Sequence, residues 1–76
     1  MKREAVNHPH HYSHGRAIEP IAAIDDWGLG FCLGNTVKYI SRAGRKNGAD
    51  PVEDLRKARW YLDHEIERLT KLRGKR

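Results

Sequence analysis

One cysteine, one phenylalanine and no long apolar run are the first things this 76-residue sequence withholds. The lone Cys32 cannot close an internal disulfide, and it is expected as a small helical core residue rather than a nucleophile. No stretch approaches the roughly 20 apolar residues of a membrane span. The opening "MKREAVNHPHH" lacks the apolar block of a signal peptide. A cytoplasmic protein with no membrane partner is therefore expected. There is no glycine-rich loop ending in Lys-Ser/Thr, which excludes a conventional P-loop nucleotide kinase site. Ser13, Ser41 and Cys32 have no recognisable base-and-orienter set, and no paired metal-ligating carboxylate motif appears. Internal repeats and low-complexity tracts are missing as well.

What is present is charge. Charged residues make up 33% of the chain against 38% hydrophobic, a balance that suits a small helical domain with a thin core. A chain this short sits near the lower limit for a self-sufficient core, and without disulfides self-association is the expected source of further burial. The formal net charge is +5, and five histidines raise it as pH falls. Such a balance favours nucleotides, nucleic acid or an acidic protein as partner, without choosing among them.

The spacing predicts an all-α fold: a small three-helix domain over residues 17–73 behind an extended, His-rich arm at 1–16. Residues 74–76 add a basic tail. The arm, "MKREAVNHPHHYSHGR", shows neither helical nor strand periodicity. A first helix is expected over about 20–27, opened by Pro20 and closed by Gly28, with Ile18, Ile21, Ile24 and Trp27 as its apolar stripe. A second is expected over about 31–43, with Leu33, Val37 and Ile40 on one face and Asn35, Lys38 and Arg42 on the other. The third, about 51–73, has the clearest start: Asp50 as cap, Pro51 at the first position, Glu53 at the third. It carries Leu55, Ala58, Leu62, Ile66 and Leu69 at helical spacing over roughly 34 Å. The two shorter helices cannot cover so long a stripe, so its C-terminal half is expected to pair with another subunit or fray.

Three groups of residues are candidates for chemistry. His8, His10, His11 and His14 fall within seven residues. Zinc is one reading, but the neighbouring proline and glycine oppose a ligating helix, and no thiol or carboxylate cluster completes a tetrahedral set. Rings packed on backbone, or His8, His11 and Tyr12 touching an anionic ligand, are the others. Lys38 and Arg42 are one turn apart, close enough to converge on one phosphate. Asn35 can read a base or ribose edge, and Lys46 can close the pocket. A merely solvated basic face remains the plain alternative. Asp54 stands in the first turn of the third helix, where it can orient Lys38 or Arg42 or hold magnesium together with a ligand's phosphates. Of the adjacent Trp60 and Tyr61, only one can join the apolar stripe; the other faces a subunit interface or a stacked base.

Taken together, "VNHPHHY" (6–12), "IEPIAAIDDWGLGFCLGNTVKYISRAGRK" (18–46) and "EDLRKARWYLDHEI" (53–66) resemble a family of small phage-encoded proteins. That family is of unknown function and often labelled nucleotide kinase-like. The same domain occurs in a coliphage deoxynucleoside monophosphate kinase without a Walker-type loop. The resemblance marks His8, Pro9, His11 and Tyr12 in the arm. It also marks Asn35, Lys38, Tyr39, Arg42 and Lys46 around the second helix, and Glu53, Asp54, Lys57, Trp60 and Tyr61 on the third. His10 and His14 lie outside it.

It implies a nucleotide-binding phage or prophage protein, which the composition places in the host cytoplasm and the thin core in a homo-oligomer. His8, His11, Tyr12, Asn35, Lys38, Arg42 and Lys46 would then hold the nucleotide. Either the nucleotide is sequestered, or it undergoes phosphoryl transfer by positioning and charge neutralisation, with magnesium brought on its phosphates. The competing expectation is a non-enzymatic adaptor that binds nucleic acid or a host protein through its basic surface, including the "KLRGKR" tail.

Overall fold

The computed structural model describes residues 16–45 and 48–74, and their fold is all-α. Three helices follow one another: α1 (Pro20–Asp26), α2 (Phe31–Arg42) and α3 (Pro51–Gly74). No strand occurs among the described residues. The arm residues His8, His10, His11, Tyr12 and His14, and Lys46 in the turn before α3, lie outside the described residues.

Each boundary has a local cause. Glu19 is extended and Pro20 opens α1, where its missing N–H leaves nothing unsatisfied. Gly28 ends the helix at φ 65°, its N–H bonding the Asp25 carbonyl while the Leu29 N–H reaches back to Ile24. That pair of bonds needs a left-handed residue at position 28, which glycine adopts without strain. At the exit of α2, Gly44 takes φ 79°. The Arg16 guanidinium there donates to the Ser41 carbonyl at 2.6 Å, placing positive charge on the negative end of the helix. The Asp50 carboxylate accepts the Val52 N–H at 3.0 Å and caps α3.

The helices pack through small residues. Gly34 of α2 lies against Ile24 of α1, whose Cγ2 would sit 3.3 Å from a Cβ placed there. On its opposite side α2 runs antiparallel to α3. The Thr36 hydroxyl donates to the Cys32 carbonyl at 2.9 Å and sits 3.5 Å from the Ala58 carbonyl. Thr36 and Ala58 are both buried at that crossing.

Ala58 is the one buried hydrophobic residue of the described core. The expected stripe of the first helix is not enclosed: Ile18, Ile21 and Trp27 are exposed, and only Ile24 engages its neighbour closely. The reason is architectural. The three helices form a single layer, whereas a stable core ordinarily needs two layers pressed together. With 24 residues, α3 extends about 36 Å, twice the roughly 18 Å of α2.

Past α2, the flank of α3 is held by local bonds. Arg68 donates to both Glu65 oxygens, at 3.1 and 2.8 Å. These hydrogen bonds, against slight desolvation, hold the Glu65 carboxyl below its ordinary value. A depressed carboxyl stabilises the fold fully above its unfolded pKa and loses that effect as pH falls through the folded one. The native chain and Glu65→Gln are therefore expected to differ in melting temperature near pH 7. Their curves should converge below about pH 4, as followed by circular dichroism across an acid titration.

Candidate functional site

The α2–α3 layer has two unlike sides. At 100° per residue, Phe31, Asn35, Lys38 and Arg42 project from one side of α2, and Leu33, Val37 and Ile40 from the other. On the first side Tyr39 leans toward α3 and stacks on Tyr61, with ring centroids 5.9 Å apart and planes 13° from parallel. Tyr61 meets the edge of Phe31 at 5.8 Å and that of Trp60 at 5.0 Å. Trp60 points outward and stacks on His64 at 5.3 Å. Of the two adjacent aromatics, then, Tyr61 is the one lodged between helices. Phe31 remains 75% exposed at the rim of the cluster.

Three cations surround the Tyr39 ring. The Lys38 ammonium is 4.7 Å from its centroid, the Arg42 guanidinium carbon 5.4 Å and the Lys57 ammonium 5.5 Å. Each is within cation–π range, and the electron-rich face offsets part of their mutual repulsion. Among the described residues neither lysine has a carboxylate at ion-pair distance. Lys38 and Arg42 thus share a face, as their spacing requires. Lys57 joins them from the neighbouring helix, which periodicity within one helix cannot reveal. Only the resemblance flagged it.

Among the described residues Asp54 is the carboxylate within ion-pair distance of this cluster. It is 3% exposed, and its Oδ1 lies 3.8 Å from the Arg42 Nε. Its Oδ2 has no hydrogen-bond partner among the described residues. A buried carboxylate so placed holds the guanidinium in position over Tyr39. No group of three potential metal ligands occurs among the described residues. Asn35 is on the same side, and its amide donates to the Phe31 carbonyl at 2.9 Å, which leaves its second N–H and its carbonyl oxygen without a partner in that bond. The structure therefore brings Asn35, Lys38 and Arg42 onto one face; His8, His11, Tyr12 and Lys46 fall outside the described residues.

A thin all-α protein with an aromatic, cation-rich face is the class that these features define. The chain matches, over residues 6–63, a family described as protein of unknown function, DUF3310, and it belongs to that family. It is also similar to the Gene 1.7 protein of Enterobacteria phage T3, with 41% identity over 65 residues and 76% of the chain covered. These matches place it among small phage proteins of unknown function. The chain spans 39% of that relative's length. No solved structure matches it. No described helix is long and apolar enough to cross a membrane.

Proposed function

We propose that the protein binds a nucleotide, holding its phosphate between Lys38, Arg42 and Lys57. The convergence of these three cations on the Tyr39 ring is the observation that supports it. Among the described residues these side chains have only Asp54 as an ion-pair partner, so they repel one another, and a phosphate between them converts that cost into charge-assisted hydrogen bonds. The rings continue from Tyr39 through Tyr61 to the exposed Phe31, offering a stacking surface for a base on the same side. The resemblance to proteins labelled nucleotide kinase-like narrows the anion to a nucleotide, with His8, His11, Tyr12, Asn35 and Lys46 as further contacts. Magnesium arrives on the phosphates rather than on Asp54.

Calorimetry against nucleoside mono-, di- and triphosphates and cyclic dinucleotides tests this reading. Saturable binding of one class is expected, and silence across the panel overturns it. The adaptor reading places binding on Lys71, Arg73 and the tail beyond them. It predicts affinity for duplex or single strands that collapses with salt and disappears when residues 71–76 are removed. A pocket on α2 and α3 survives that truncation.

A further inference from the structure

We infer that the apolar side of the helical layer, opposite the basic face, is covered by a second copy of this chain, with the two α3 helices antiparallel and crossing at Leu62. That side is continuous. Ile40 of α2 is 55% exposed, and Leu55, Leu62, Ile66 and Leu69 of α3 are 48, 41, 54 and 50% exposed. Half-buried Leu33 and Val37 fill the α2 flank. The line on α3 that meets α2, through Asp54, Ala58, Tyr61 and Glu65, lies roughly 70–80° around the helix from this stripe. No described element rests on it. Five aliphatic side chains at about half exposure, with the less exposed Leu33 and Val37, leave on the order of 400 Å² of apolar surface per copy, the core of an interface that typically removes about 800 Å² from each partner.

Two observations select a copy of the same chain as occupant. First, among the described residues the layer buries one hydrophobic side chain, Ala58, which leaves it little core of its own. Its partner must be available whenever it folds, which a sister chain always is. Residues 1–15 bring only Met1, Ala5, Val6 and Tyr12 as hydrophobic side chains, too few to cover this face. Second, the stripe is symmetric about its midpoint. Leu55 and Leu69 stand seven residues either side of Leu62. Antiparallel pairing about a twofold axis at Leu62 therefore sets Leu62 on Leu62 and Leu55 on Leu69. It also brings Arg59 of one copy and Asp63 of the other to the same edge, about 3 Å apart along the axis. The register is complementary in shape and in charge. Both basic faces remain outward, so this inference stands independently of the nucleotide reading.

Sedimentation equilibrium of the full chain, with circular dichroism at matching concentrations, provides the test. A dimer is expected, losing helix as it dissociates. Leu62→Glu and Leu62→Lys should each weaken self-association at least tenfold, with or without loss of helix. Mixed in equal amounts they should recover a heterodimer with native helicity, because position 62 meets its own counterpart. A fully helical monomer of the native chain overturns the inference. So does a Leu62→Glu chain that still dimerises, or a mixture no better associated than either variant alone.

Discussion

Arg42→Ala is expected to weaken nucleotide binding by about 10- to 100-fold, the worth of one charge-assisted contact to phosphate. The same change should cost stability, because Asp54 would remain buried with no cation beside its Oδ1. The pair is loose at 3.8 Å, and Arg42 is one-third exposed. That discounts the loss to about 1–2 kcal/mol, or a melting temperature lower by about 5–15 °C in a domain of this size. The two effects separate in a double variant. Arg42→Met with Asp54→Leu removes both charges together and should return to within about 1 kcal/mol of the native fold. Binding should stay lost. Calorimetry and thermal melts on the three chains read both quantities; native affinity in the folded double variant would remove Arg42 from the site.

The largest loss of stability is expected from Ala58→Leu. At 4% exposure, Ala58 lies where α2 crosses α3, with its carbonyl 3.5 Å from the Thr36 hydroxyl. A larger side chain there must push the helices apart, at a typical cost of about 1–3 kcal/mol for overpacking. With no other buried hydrophobic residue among those described, little remains to absorb the loss. A fall of about 5–20 °C in the melting midpoint is expected. Ala58→Ser at the same position should be milder, since it adds one atom and a hydroxyl able to bond within the helix. A Leu variant that melts with the native chain would mean that the two helices do not cross at Ala58.

The all-α architecture was legible because its punctuation is strong. Asp50 followed by Pro51 marks one helix start with a cap and a tolerated proline, and Gly28 and Gly44 stop the other two helices with left-handed residues. The pairing of Lys38 with Arg42 on one face also follows from spacing alone. What spacing could not supply is how α2 is rotated against α3. Lys57 reaches Tyr39, and Tyr61 rather than Trp60 enters the helix interface, only because the small pair Thr36 and Ala58 fixes that rotation. Apolar periodicity likewise marked Ile18, Ile21 and Trp27 as one stripe, yet all three are exposed. Periodicity identifies which side of a helix is apolar, not whether anything in the same chain lies against it.

The mismatch in length between α2 and α3 governs how this molecule comes apart. Beyond Arg68 the third helix has only its own backbone hydrogen bonds and short-range pairs such as Lys71 with Glu67, at 3.7 Å, to keep it wound. An isolated segment of that length is marginal in water. Its peptide protons should trade with deuterium first, in a wave travelling inward from Gly74 and stopping near Glu65. How fast that wave advances becomes a gauge of crowding by sister molecules, slowing as the solution is concentrated and quickening as it is thinned.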